Sequence, residues 1–428
     1  MALKYDYYLF DFDGTLADTG EGIRRSVAYS LEKLGRPVPD HSVLDRFIGP
    51  PLHDSFVEYC GMNDDEAEHA IEVYRERYVD IGLYESQLYP GIAMLLRALH
   101  RRGAYVAIAS AKPQFMLERL AAHYGIDKYL NAIVGTGLGR HSADKQDLIL
   151  RALPEGADVA RACMAGDRRF DIEAAKALGL TGIGADYGYS TPDELSAAGA
   201  YAVFDGVAAM AEWMLGGEGP RGIFISLEGS DGCGKSTQME LLKDYLTRRG
   251  FELVFSREPG GCPISERIRE VILSLDSKGM SSECEALLYA ASRVEHVREV
   301  IEPALKCGKI VICDRFLDSS IAYQAYGREL VESFIRQINA PAVRQVYPEL
   351  TLLLEVNRAE SRRRMAKGAP LDRLEIEKED FFARFQAGYE ALAQAEPQRI
   401  VRIDASKGIE DVFEDVKAAV NSVLDGER

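Results

Sequence analysis

Short apolar runs alternate along this chain with amphipathic segments of 3.6-residue period, and the alternation begins twice. Tyr7-Tyr8-Leu9-Phe10, Tyr105 to Ala109, Ala132-Ile133-Val134 and Ala162 to Ala165 make a first series. Ile223 to Leu227, Leu253-Val254-Phe255, Ile310 to Cys313 and Thr351 to Leu354 make a second. Strands that alternate with helices are joined by crossovers, so each series specifies a parallel sheet covered on both faces. The fold class is therefore α/β, with two doubly wound parallel-sheet domains. A chain of 428 residues exceeds what one core usually organises, which agrees with two.

The second series begins after Gly216-Gly217-Glu218-Gly219-Pro220, which cannot continue the helix ending near Trp213. The expected limits are 1–216 for the first domain, 217–221 for a linker and 222–428 for the second domain. Residues 19–86 contain helical periodicity and no strand-like run, and so are expected to form a helical cap inserted into the first domain.

Charge narrows the partners. With 51 basic and 68 acidic side chains the net charge is −17, which opposes binding to a nucleic-acid polymer. No apolar stretch reaches membrane-spanning length and the start lacks a signal-peptide pattern, so a cytoplasmic location is expected. Seven cysteines without a CxxC pair fit reduced thiols.

In the first domain, strand Tyr7–Phe10 runs into Asp11-Phe12-Asp13-Gly14-Thr15, two carboxylates at a strand end, where parallel sheets bind ligands. Ser110 follows the strand from Tyr105, Lys145 opens a helix, and Asp167 and Asp171 follow the strand from Ala162. A carboxylate nucleophile, a hydroxyl, an ammonium and further carboxylates suit phosphoryl chemistry assisted by a hard cation. These four motifs resemble those of the haloacid dehalogenase superfamily, and the insertion after Asp18 resembles the helical-cap subclass that includes phosphoglycolate phosphatases. The resemblance implies a Rossmann-like core with Asp11 as nucleophile, Asp13 as acid and base, and Ser110 and Lys145 as phosphoryl ligands. It also implies Mg²⁺ held by the Asp11 carboxylate, the Asp13 carbonyl and Asp167, with Asp171 in support. The substrate stays open between a phosphoglycolate-like monoester and a nucleotide 5′-phosphate, and a non-catalytic scaffold is the rival role. The segment Arg46 to Leu52 is expected to face the site, although Arg46 itself fits a solvated face; His41, His53 and His141 show no metal-ligand spacing.

In the second domain, Gly229-Ser230-Asp231-Gly232-Cys233-Gly234-Lys235-Ser236-Thr237 fits the phosphate-binding loop GxxxxGK[ST] between an apolar strand and a helix. All nine residues are expected to bind ATP, with Lys235 on the phosphates and Ser236 on Mg²⁺. Arg257, Arg293 and Arg315 come from separate elements, and Tyr289 offers an aromatic face, a set suited to an acceptor phosphate and a base. With Ser319 to Gln324, Pro348 to Thr351 and Leu371 to Glu375, these segments resemble a bacterial thymidylate kinase from residue 222 to about 425. The resemblance implies that ATP phosphorylates dTMP. It also implies that Asp231, Arg257, Tyr289, Arg293, Arg315, Ser320 and Tyr323 bind dTMP and that the domain forms a homodimer. A kinase for another nucleoside monophosphate remains the alternative. No basic residue stands at Ser230 to Cys233, while Arg362, Arg363, Arg364 and Lys367 crowd a later segment. The resemblance therefore implies a catalytic lid arginine, assigned to Arg364, and Ala325, Tyr326 and Phe316 depart from the usual family pattern.

Overall fold

The computed structural model describes residues 3–137, 144–344, 346–365 and 379–426, and divides into two compact units meeting in sequence at Pro220 and Arg221, apart from the short turn 248–251.

The first unit is built on six parallel strands: β1 (Tyr7–Phe10), β4 (Tyr105–Pro113), β5 (Ala132–Thr136), β6 (Ala162–Gly166), β7 (Thr181–Ala185) and β8 (Ala202–Phe204). Their order is β5-β4-β1-β6-β7-β8. The chain leaves β1 in one direction and returns to its other side at β6, so the connections diverge at the carboxyl end of β1. Every residue of β6 is buried, as expected for a strand with helices on both faces. Strand β4 runs to Pro113 with a register irregularity after Ala109, so Ser110 lies within it rather than just beyond it.

Two short strands, β2 (Ala17–Asp18) and β3 (Gln87–Leu88), pair antiparallel and bring the two crossings of the cap together. Between them lie helices Gly20–Lys33, Leu52–Cys60 and Asp64–Tyr78. The third starts sharply because Asn63 and Glu66 form a reciprocal capping box, satisfying two amides that a helix end leaves open.

The second unit has five parallel strands, β9 (Ile223–Glu228), β10 (Leu253–Arg257), β11 (Ile310–Asp314), β12 (Leu350–Glu355) and β13 (Ile400–Asp404), in the order β10-β11-β9-β12-β13. β9 is buried throughout and central, and again the loop that follows it opens where the connections diverge. No described helix is long and apolar enough to cross a membrane.

Candidate functional sites

The first site gathers at the carboxyl ends of β1, β4 and β6. The amide of Asp11 donates to the Ala165 carbonyl at 2.9 Å, so the chain is still paired as it leaves β1. Lys145, the first residue of helix Lys145–Ala152, donates to Asp11 Oδ1 at 2.6 Å and lies 2.6 Å from Asp171 Oδ1. Asp167 accepts from the Tyr189 amide at 2.8 Å and from the Thr15 hydroxyl at 3.3 Å. One carboxylate oxygen from each of Asp11, Asp167 and Asp171 falls within 4.8 Å of the others.

That crowding has a price in electrostatics. Burial, together with the Asp171 and Asp13 charges, outweighs Lys145 and pushes the Asp11 carboxyl up to about 6. Asp167 is raised well above the ordinary range by burial and by Asp11 and Asp171. For Lys145 burial opposes the charge, but Asp11 and Asp171 prevail and raise its pKa. Three clustered carboxylates with one ammonium leave an excess of hard anionic donors, the chemistry that fits a divalent cation such as Mg²⁺. The carboxylate of Asp13 is not part of this cluster, which leaves it free of the metal donors. Ser110 is buried on β4.

Composition and motif order did not single out Lys112, Tyr78 or Tyr189. Lys112 donates to Asp13 Oδ1 at 2.9 Å and to Tyr78 Oη at 2.7 Å. Its parity was the available signal, since two residues along a strand return to the same face, and Ser110 had already marked that face. Tyr189 Oη accepts from the amides of Thr19 and Gly20, at 3.0 and 2.7 Å, where the chain enters the cap. The 46–52 segment lies against the core at one point, where the Ile48 carbonyl accepts from Arg168 at 3.2 Å. Arg46 is exposed and its guanidinium lies over Tyr59, 5.0 Å from the ring centre. His41 and His53 face aspartates, and His141 lies outside the described residues.

In the second unit, Lys235 opens helix Lys235–Arg248, and its ammonium donates to the Gly229 and Ser230 carbonyls at 3.2 Å each. Gly229 has φ +130°, and a Cβ there would meet the Leu354 carbonyl at 2.3 Å, so the loop's first glycine is required by β12 as well as by its own turn. Asp231 Oδ1 accepts from Arg315 at 2.6 Å. Burial alone would raise the Asp231 carboxyl, but Arg315 and Lys235 hold it down at about 2. Arg315 itself has φ +71°, a backbone position seldom taken by a non-glycine residue, and its guanidinium lies 5.2 Å from the ring centre of Tyr323. Asp314, next to it, has a buried Oδ1 without a hydrogen-bond partner, 3.8 Å from Lys235. A buried carboxylate oxygen beside the phosphate loop, facing Lys235 but without a hydrogen bond, adds Asp314 to the expected Ser236 as a candidate holder of a cation.

The acceptor-side residues do not all come together. Asp231, Arg315 and Tyr323 form one cluster, while Arg257 is exposed and paired with Glu266 at 2.9 Å in a cleft shared with Cys262 and Pro263. Tyr289 is half-buried on helix Ser282–His296. Arg293, expected to face a base or sugar, is instead 1 % exposed. It donates to Glu258 at 2.7 Å, Ser320 at 3.1 Å, the Phe316 carbonyl at 3.0 Å and Asn339. A buried guanidinium needs that many acceptors, and they tie it to the residue after β10, to Phe316 and to helices Leu317–Ser320 and Glu332–Val343. In the arginine-rich helix Arg358–Met365, Arg362 pairs with Glu379 and Arg363 with Glu360, whereas Arg364 also reaches the phosphate loop, at the Cys233 carbonyl, 3.4 Å away. Lys367 and the segment Leu371 to Glu375 lie outside the described residues.

Known proteins match the two units separately. Residues 8–185 match the family model of haloacid dehalogenase-like hydrolases, and residues 227–416 that of thymidylate kinase. The thymidylate kinase of Pelotomaculum thermopropionicum is 47% identical over 206 residues, 48% of this chain and 95% of that protein. That of Geotalea uraniireducens is 43% identical over 205 residues, 46% of this chain and 96% of that protein. Among solved structures, a haloacid dehalogenase-like hydrolase from Streptococcus pneumoniae aligns with TM-score 0.44 and 28% identity over 47% of this chain and 93% of its own. A thymidylate kinase from Ehrlichia chaffeensis aligns with TM-score 0.39 and 34% identity over 47% of this chain and 99% of its own. The two family models and the curated thymidylate kinase relatives place the chain in the thymidylate kinase family through its C-terminal half, joined to an N-terminal haloacid dehalogenase-like hydrolase domain.

Proposed function

We propose that the chain is a bifunctional enzyme that converts ATP and dTMP to ADP and dTDP in one domain and hydrolyses a small phosphomonoester in the other. The carrying observation for the hydrolase is Lys145 held between Asp11 and Asp171 beside Asp167. Asp11 Oδ attacks phosphorus, the ester bond breaks, and Asp13 gives its proton to the departing oxygen. Asp13 then takes a proton from the water that cleaves the aspartyl phosphate, while Ser110 and Lys145 hold the phosphoryl oxygens. Asp11, Asp167 and the Asp13 carbonyl in this domain, and Ser236 with Asp314 in the other, would hold Mg²⁺, which would supply neutralisation of phosphate charge.

In the kinase, the amides from Gly229 to Thr237 cradle the ATP phosphates, Lys235 neutralises them, and Arg364 covers the transferring group from the lid. Arg257 and Arg315 take the dTMP phosphate, Asp231 orients Arg315, Tyr289, Tyr323 and Ser320 form the nucleoside pocket, and the buried Arg293 braces it by holding Ser320. Exposed Ile264, Val271, Leu275 and Leu287 on and between helices Pro263–Leu273 and Ser282–His296 support a homodimer through this domain. A cytoplasmic location fits both chemistries.

The kinase is tested by ADP formation with dTMP, dUMP, dCMP and dGMP; turnover indifferent to the acceptor would sink it. The hydrolase is tested by phosphate release from a panel containing phosphoglycolate and nucleotide 5′-phosphates, against Asp11→Asn. Equal release by both proteins would overturn the assignment of Asp11 as nucleophile, and no release from any ester would leave the first domain a scaffold. Light scattering in solution tests the dimer.

A further inference from the structure

Asp13 must protonate the departing oxygen in one half of the proposed hydrolysis and accept a proton from water in the other. A carboxylate on a single methylene can rotate about two bonds, so something must aim it. The structure supplies a chain of hydrogen bonds for this. Lys112 Nζ donates to both oxygens of Asp13, at 2.9 and 3.3 Å, and to the phenolic oxygen of Tyr78 at 2.7 Å. The Lys112 side chain is 4% exposed and that of Asp13 17%.

The two partners of Lys112 belong to different parts of the first domain. Asp13 lies in the loop after β1, whereas Tyr78 is the last residue of cap helix Asp64–Tyr78 and is stacked on Tyr74 with ring centres 4.9 Å apart. Lys112 itself stands on β4, two residues beyond Ser110. Burying an ammonium is costly unless it is bonded on more than one side, and here one side is the core and the other the cap.

We propose that Lys112 is a positioning residue that aims the Asp13 carboxylate at the leaving oxygen, and that Tyr78 makes this aim depend on the cap helix being seated. The proposal rests on the hydrolase reading above. In the step concerned, Asp11 Oδ bonds to phosphorus, the ester P–O bond breaks with its electron pair on the alcohol oxygen, and the Asp13 proton moves to that oxygen. An alcohol needs the proton; a nitrophenolate, stable as an anion, does not.

The two cases separate positioning of the acid from general damage. In the full chain, with kinase turnover as the control for intact protein, Lys112→Met and Tyr78→Phe are compared with wild type. The probes are 2-phosphoglycolate and 2,4-dinitrophenyl phosphate, the second followed as dinitrophenolate released in the first turnover. Lys112→Met is expected to lose at least about 10-fold on phosphoglycolate and less than about 3-fold on the dinitrophenyl ester, a fraction of the 10²–10⁴ that acid catalysis commands. Tyr78→Phe, which keeps the stacked ring, follows the same pattern with a smaller loss. Equal losses on both esters, or none on phosphoglycolate, overturn the assignment. If wild type and Asp11→Asn release dinitrophenolate alike, the hydrolase reading fails first and Lys112 has no acid to position.

Discussion

The two centres occupy equivalent places, the carboxyl end of a central parallel strand where connections diverge, and they handle charge in opposite ways. At the end of β1 carboxylates concentrate: Asp11 and Asp171 share the Lys145 ammonium, Asp167 lies beside them, and burial pushes Asp11 up to about 6. After β9 it concentrates cations: Arg315 and Lys235 surround Asp231 and hold it at about 2. One site is built around anions that need a cation, and the other around cations that await phosphate. Position in the fold thus sets where a ligand binds, while the few side chains at that place set the sign of the field it meets.

The largest contrast comes from the proposed nucleophile. Asp11→Asn should abolish phosphate release, by about 10⁴-fold or more, and leave ADP formation with dTMP unchanged, since Asp11 bonds to Lys145 and Ala165 of its own unit. A matching fall in kinase turnover would break the comparison. Next in size is the lid: Arg364→Ala should lower kinase kcat by about 100-fold or more with little change in the dTMP KM, and Arg362→Ala by only a few-fold. Reversed magnitudes would move the catalytic charge to Arg362. Asp167→Asn should raise the Mg²⁺ concentration that half-saturates phosphate release by about 10- to 100-fold, without shifting that of the kinase.

The smallest effect concerns stability. Glu228 at the end of β9 is fully buried and accepts from the Phe316 amide, Ser319 and Tyr389. Burial and Asp318 push its carboxyl up from 4.5 to about 7, so the folded protein binds this proton more tightly than the unfolded chain. The stability it confers is present below about 4.5 and lost as pH rises through about 7. Relative to wild type, Glu228→Gln should therefore gain stability between pH 5 and 8 in urea unfolding; a flat or opposite trend would put the charge on Glu228 at ease in the core.

Much of this was legible in the sequence because chemistry and chain order coincide. The alternation of runs disclosed both sheets, and Asp11, Lys145 and Asp167 lie together because each sits at the end of a strand or the start of a helix. What escaped depends on distance along the chain. Nothing near Tyr78 indicates that it meets Lys112, because that contact is created by the pairing of β2 with β3, which folds the cap back. Arg293 was legible as a binding residue by type, yet its burial depends on Glu258, Ser320 and Asn339, which only the packed domain collects.

Gly14, Gly166 and Gly188 carry no functional group, but each is the negative image of one. A Cβ at Gly14 would fall 2.0 Å from an Asp167 oxygen, at Gly188 2.5 Å from the Asp167 Cβ, and at Gly166 2.2 Å from the Asp171 carboxyl carbon. A saturation-mutagenesis map scored by phosphatase activity should thus show these three positions as intolerant as the aspartates. Read without the structure, such a map would report more catalytic residues than the reaction uses, the surplus being the mould in which the carboxylates are cast.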